Sequence, residues 1–478
     1  MNAPINVTGS VELTQTLDAM RKSWLTAPPR PYEARIADLN ALGRWIVEEE
    51  EAILAAISED FGNRSGVETK FSEILVVLSS IKNTKSQLRS WMRPRRRRAD
   101  WISFPLARNR VIPQPLGVVG VISPWNFPLQ LSFNPLVSAF AAGNSAMLKM
   151  SEFSRHLAQL LIRTAPKYFE ADKLRIFGDD GTLGPAFSAL PFDHLVFTGS
   201  SQTGRAVMAS AARNLTPVTL ELGGKSPAVV APDFPIETAA ERILWAKMFN
   251  AGQICINVDY VFVPVEQEQV FVDHARRLVA KRYPDINGAD YTSIIHERNY
   301  TRLEGLLEDA RAKGGKLVNL APNQTPDRAR RKFPPHIVLD ATPDMLVAQQ
   351  EIFGPILKVF GYRDKQEVAD YINAGERPLA FYLFSRERDF VDFFIDRVMS
   401  GGVTVNDTMM HFAQADLPLG GVGASGVGQY QAREGFDRLS KLRPVFMQGP
   451  ATPVQWLFQP PYGNFARRSL DLLIRLKR

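Results

Sequence analysis

Apolar residues recur three and four positions apart through residues 11–24, 34–60 and 67–92, the spacing that turns one face of an α-helix toward a core. The run Arg93-Pro94-Arg95-Arg96-Arg97-Arg98 stops the third of these helices. After Arg110 the period changes. Short aliphatic and β-branched runs at 117–122, 145–149, 174–177, 195–198 and 218–220 alternate with helical patterns at 129–142, 156–168, 184–190 and 203–213. Strands and helices alternating at this spacing predict βαβ units and a parallel sheet. The alternation continues through strand 228–231, helix 236–249, strand 260–264 and helix 270–283, with later strands at 357–362 and 401–406. The fold class is therefore α/β, with a second α/β unit following the first.

Ligands of parallel sheets bind at the carboxyl ends of the strands, so the residues just after each strand carry the functional signal. Three of these ends are chemically loaded. Ser123-Pro124-Trp125-Asn126-Phe127-Pro128 holds a side-chain amide in a proline-bounded turn, and Lys149-Met150-Ser151-Glu152 sets a cation and an acid together. Gly199-Ser200-Ser201-Gln202-Thr203-Gly204 opens a helix whose free N–H groups suit a phosphate. The G-x-G-x-x-G fingerprint is absent, and Gly178, Gly181 and Gly184 read as a turn before a helix. Glu221 stands at the end of a strand beside Gly223 and Gly224, where a glutamate ordinarily caps or ion-pairs. Glu351-Ile352-Phe353-Gly354-Pro355 makes a tight turn, and the glycine-dense stretch 417–426 is a shaped loop.

A chain of 478 residues that is 45% hydrophobic is long enough for two or three domains. Its 57 basic and 50 acidic residues give a formal charge of +7, compatible with anionic ligands such as dinucleotides. The arginine run has no interleaved aromatic platform, so it reads as a solvated connector or inter-subunit charge patch, and no nucleic-acid partner is expected. No 18-residue apolar run and no signal-peptide pattern occur, so the expected location is the cytoplasm and integral membrane association is not expected. Residues 465–478 form a basic amphipathic helix that suits either peripheral membrane contact or subunit docking.

Cys255 is the only cysteine, which leaves three uses: nucleophile, metal ligand or buried filler. Gly252 and Gln253 break the helical pattern just before it, freeing backbone to approach a ligand. No metal site is expected.

Together these stretches resemble the aldehyde dehydrogenases. The resemblance rests on PWNFP at 124–128, Lys149 with Glu152, FTGSSQTG at 197–204, LELGGKSP at 220–227, FNAGQIC at 249–255, EIFGP at 351–355 and the strand ending at Asn406. The stretch 406–426 and the PPYG sequence at 460–463 are similar to the class 3 branch, and within it to the bacterial coniferyl-aldehyde dehydrogenases. One departure is KMSE, where many relatives have proline after the lysine.

The resemblance implies a Rossmann-like NAD(P)-binding domain from residues 1–96 and 116–222 and an α/β catalytic domain at 223–422. It further implies a β-arm for oligomerisation from 97–115 and 436–447, a tail at 448–478, and a homodimer. Cys255 would attack an aldehyde, Asn126 and the Cys255 N–H would hold the oxyanion, and Glu221 would activate water to release a carboxylic acid. Lys149 and Glu152 would approach the adenine ribose of NAD, with NADP also open. Gly199, Ser200 and the helix start at Gly204 would approach the pyrophosphate, and Glu351 with Phe353 the nicotinamide ribose and ring. An aromatic, coniferyl-type substrate is expected, lined by Phe127, Trp125 and the 411–412 stretch. The alternatives are medium- or long-chain aliphatic aldehydes, a CoA-acylating enzyme (disfavoured by Glu221), a thiol hydrolase, or a non-catalytic family member.

Overall fold

Strand Val118–Ile122 is buried along its whole length, as a strand covered on both faces must be. In the computed structural model it lies at the centre of a six-stranded sheet, with Ser145–Lys149 and Leu174–Phe177 on one side and His194–Gly199 and Val218–Leu222 on the other. These five strands are parallel, and Gly426–Val427 closes the sheet antiparallel to Val218–Leu222. Strand order reverses between Val118–Ile122 and His194–Gly199, which opens a crevice at their carboxyl ends. The structure describes residues 7–101, 103–450 and 453–477. Residues 1–6 of the cofactor-domain expectation, 102 of the arm and 451, 452 and 478 of the tail lie outside the described residues.

Helix Gln130–Ala142 is apolar on nearly every side and wholly buried, filling one face of this sheet. The second sheet has seven strands in the order Lys316–Asn319, His336–Leu339, Ile356–Tyr362, Val258–Pro264, Ser226–Val230, Ala380–Phe384 and Gly402–Val405. All pairs are parallel except the first. The strands at 316, 336 and 380 have no counterpart in the sequence reading.

Several boundaries move. The helix expected at 34–60 is two, Tyr32–Glu48 and Glu50–Phe61, broken at Glu49. The helix expected at 67–92 contains a wide π turn, Lys70–Leu75, of the kind that re-aims side chains near functional sites. That turn carries Glu73 inward at 0% exposure.

Strands Arg95–Arg97, Arg108–Pro115 and Ser440–Met447 form a separate three-stranded antiparallel sheet. Phe436, expected in this arm, lies instead in helix Ala432–Arg438, because its fully buried ring packs on Trp91 with centroids 5.7 Å apart. The arm strand begins only at Ser440.

Candidate active site

Helix Ile236–Met248 ends abruptly, and in the short 3-10 segment Phe249–Gly252 both Asn250 and Ala251 take positive φ, 50° and 49°. Such left-handed backbone persists only where its surroundings hold it. Here Glu68 accepts the Asn250 N–H at 3.2 Å. Gln253 donates to the carbonyls of Asn250 (3.0 Å) and Ser293 (3.1 Å) and accepts the Ile295 N–H at 3.0 Å. Gln253 is thus the brace that delivers Cys255, two residues on, to the meeting point of two cavities.

Asn126 reaches the same place from the end of strand Val118–Ile122. Its carbonyl accepts from Arg64 at 3.0 Å, and Arg64 forms a fully buried ion pair of 2.7 Å with Glu73. Glu73 in turn accepts the first N–H groups of the following helix, Leu129 at 2.6 Å and Gln130 at 3.1 Å. This chain fixes the loop from beneath. One Asn126 amide N–H goes to the Gln253 carbonyl at 3.3 Å, and among the described residues no acceptor takes the other.

Glu221 lies in strand Val218–Leu222 at 1% exposure, and neither carboxylate oxygen has a hydrogen-bond partner. Burial raises its pKa from 4.5 to about 7, with the Cys255 thiol and Thr198 hydroxyl opposing the rise. Burial, then the Glu221 and Glu351 carboxylates, push the Cys255 thiol well up. A carboxyl raised toward neutrality thus stands beside a thiol that is raised as well. Thr198 Oγ1 and Tyr430 Oη are also buried without hydrogen-bond partners; the Thr198 hydroxyl lowers the Glu221 pKa, while burial and then the Glu221 carboxylate raise that of Tyr430. Neither was singled out from sequence; Thr198 sits inside FTGS, but Tyr430 has no local signal.

A cleft of about 1120 Å³ runs from Gly199 and Ser200 past Glu221 and Asn126 to Cys255, Glu351 and Phe353. Ser200 is the N-cap of helix Ser201–Ala212, accepting the Thr203 N–H at 3.2 Å. That helix starts two residues earlier than expected. Gly204 is consequently inside the helix, where a Cβ would come within 2.6 Å of the Leu222 side chain, and it packs rather than faces the cleft. Glu351 lies so close to Gly223 that a Cβ there would be 2.1 Å from its carboxylate. Burial and Asp259 raise the Glu351 pKa to about 8. Its loop is pinned by Lys225 and Lys358, which share Asp259 at 2.8 and 3.0 Å and both donate to the Val347 carbonyl. Phe353 takes φ 47° and sets its ring edge-on to Trp125 at 5.4 Å.

Lys149 and Glu152 do not line this cleft. Lys149 is 5% exposed and pairs with Asp179 at 2.5 Å, an acid in what reads from sequence as a glycine turn. The helix N-terminus, the close-approach glycines and the length of the cleft fit a dinucleotide whose reactive end reaches Cys255.

The family model for the Aldehyde dehydrogenase family matches residues 6–445. The chain belongs to this family. It is 42% identical to a coniferyl aldehyde dehydrogenase of a Pseudomonas species, over 98% of this chain and 97% of that protein. It is 37% identical to aldehyde dehydrogenase family 3 member A2 of Mus musculus, over 90% and 87% of the two chains. The solved structure of Staphylococcus aureus AldH in a substrate-bound state superposes with a TM-score of 0.89 at 31% identity, covering 96% of this chain and 99% of that one. A Mycobacterium tuberculosis aldehyde dehydrogenase solved with NAD+ shares the fold, with a TM-score of 0.83 at 23% identity over 94% of this chain and 92% of that one. The protein is thus an NAD(P)-dependent aldehyde dehydrogenase with an aldehyde dehydrogenase fold.

From the other side an apolar pocket reaches Cys255, walled by Phe71, Phe127, Trp245, Phe249, Met409 and Phe412. Of the aromatics expected there, Phe127 and Phe412 line it. Trp125 faces the cleft instead, drawn there by Phe353, and His411 turns away to hydrogen-bond Thr404 at 2.7 Å.

Proposed function

We propose that the protein oxidises an aromatic aldehyde of the coniferyl type to its carboxylic acid, with Cys255 as nucleophile, Asn126 as oxyanion donor and Glu221 as base. The observation that carries this reading is the aromatic pocket ending on Cys255 opposite the long cleft that holds Glu221. Glu221 takes the thiol proton, and the Cys255 sulfur adds to the aldehyde carbon. The carbonyl electron pair moves to oxygen, which the free Asn126 N–H and the Cys255 backbone N–H stabilise; one such donor is worth about 3 kcal/mol. A nicotinamide dinucleotide, when bound, accepts the hydride that leaves the carbon. Glu221 gives up the thiol proton to solvent and, ionised again, removes a proton from water as the water oxygen attacks the resulting thioester; collapse of the adduct expels the Cys255 sulfur as thiolate, which recovers a proton.

On the cofactor side, Ser200, Gly199 and the N–H groups of helix Ser201–Ala212 would hold the pyrophosphate, and Glu351 and Phe353 the nicotinamide end. NAD is the preferred form, because the ammonium of Lys149 is already neutralised by Asp179. The domain division is the one given by the motifs, with a cofactor domain at 1–96 and 116–222, a catalytic domain at 223–422 and an arm whose free edge strand, Ser440–Met447, pairs across a homodimer. The working compartment is the cytoplasm.

A panel of cinnamyl-type, benzaldehyde-type and long-chain aliphatic aldehydes, read by nicotinamide absorbance with NAD and NADP, tests the proposal. The highest kcat/KM is expected for a cinnamyl-type aldehyde with NAD. A preference for long-chain aliphatic aldehydes would overturn the substrate class, and absence of reduction with every aldehyde would overturn the reaction.

A further inference from the structure

Helix Asn464–Leu476 shows more apolar surface than the protein covers. Ala466, Ser469 and Leu473 form the stripe turned toward the body. On one side of that stripe Phe465, Leu472 and Leu476 are 68%, 57% and 66% exposed, and on the other Leu470 and Ile474 are each 47% exposed. At 3.6 residues per turn these positions make one apolar arc of about 200°, roughly twice the width needed to dock a surface helix. The remaining arc carries Arg467, Arg468, Asp471 and Arg475.

The surroundings are cationic. Lys477 pairs with Asp100 at 2.5 Å, which sets the end of the helix beside the arginine run of residues 93–98. Residues 93–101 and 464–477 carry nine basic side chains, eight of them exposed, against Asp100 and Asp471, a net of +7 that equals the formal charge of the whole chain. The rest of the molecule is close to neutral. Charge and exposed apolar surface are thus concentrated in one place.

We propose that the tail helix and the arginine run form a docking face for an anionic lipid bilayer, with the helix lying in the interface. The leucine, isoleucine and phenylalanine side chains flanking the docked stripe would enter the boundary between headgroups and acyl chains, and the arginines would meet lipid phosphates. Among the described residues no helix is long and apolar enough to cross a membrane, so attachment is peripheral. A second copy is the poorer occupant, because a two-fold contact of this face with itself would set one cationic cluster against another.

Co-sedimentation of the full-length protein with vesicles of phosphatidylcholine alone, or of phosphatidylcholine with roughly 30% phosphatidylglycerol, tests this. Binding to the anionic vesicles is expected to be at least about tenfold stronger, and to be lost in roughly 0.5 M salt. The double variant Leu472→Asp/Leu476→Asp should bind at least about tenfold more weakly while retaining its circular dichroism spectrum and aldehyde oxidation. Equal binding to both vesicle types, or full binding by the variant, would overturn the proposal. So would failure to bind vesicles together with a change of oligomeric state in the variant, which would assign the face to a second copy.

Discussion

Gly252 presses against the carbonyl of Gly354 so closely that a Cβ on it would lie 2.2 Å from that oxygen. The loop that delivers Cys255 and the loop that carries Glu351 and Phe353 are keyed together at this contact, 102 residues apart in the chain. Lys247 reinforces it by donating to the same oxygen at 3.3 Å.

Gly252→Ala should therefore disturb both loops at once. The position has φ 76°, a conformation that costs alanine about 1 kcal/mol or more, and the added methyl must displace backbone. A shift of about 1 Å in the nucleophile is enough to lower kcat/KM by about 100-fold. Steady-state kinetics beside an unchanged circular dichroism spectrum would report this outcome. Near-normal turnover would show that the contact is not needed to place Cys255.

Cys255→Ala removes the proposed nucleophile, so turnover should vanish while cofactor binding, followed by tryptophan fluorescence, persists. Glu221→Gln removes the proton acceptor but keeps the shape. Stopped-flow absorbance should then show nicotinamide reduction slowed already in the first turnover, with no burst, because the thiol has lost the base that takes its proton. A full-sized burst followed by a slow steady state would restrict Glu221 to activating water.

The burial of Glu221 also predicts how stability depends on pH. An unfolded chain releases this proton near 4.5, whereas the folded protein keeps it until about 7. Between those values the folded state holds the extra proton, so stability declines as pH rises through the window and the full cost, about 3 kcal/mol, persists above it. Glu221→Gln abolishes that cost. Thermal melting should show the variant equal to the parent near pH 4.5 and more stable by roughly 3 °C at pH 8. The parent's steady-state rate should rise with pH through about 7, as the base loses its proton.

The parallel alternation and the chemistry at the strand ends were readable because each depends on residues close together in the chain. What escaped the sequence depends on distant pairing. Tyr430 comes under the charge of Glu221 because the short strand Gly426–Val427, just before it, returns to pair with Val218–Leu222. The inward aim of Glu73, and with it the Arg64 pair beneath Asn126, follows from a π turn that no apolar periodicity marks. Phe436 looked like arm because a strand-like run follows it; the pocket around Trp91 and helix Gln130–Ala142 made it helix instead.

Asp179 is the remaining residue with a measurable consequence. Its Oδ2 holds Lys149 while its Oδ1 accepts the N–H groups of Gly181 (2.8 Å), Thr182 (3.0 Å) and Leu183 (3.0 Å). Burial alone would raise this carboxyl, but the lysine and those N–H groups outweigh it, so it stays ionised at neutral pH. A ligand bearing a 2′-phosphate at Lys149 would find the ammonium already paired with the Asp179 carboxylate. Asp179→Asn retains the oxygen that caps the turn and removes only the charge. Calorimetric titration with adenosine 2′,5′-bisphosphate and with adenosine 5′-monophosphate separates the two effects, because only the first carries the 2′-phosphate. The variant should bind the bisphosphate about tenfold more tightly than the parent does, equivalent to about 1.4 kcal/mol, with the monophosphate unchanged. Equal weakening of both ligands would mean that Asp179 shapes the turn and does not select the cofactor.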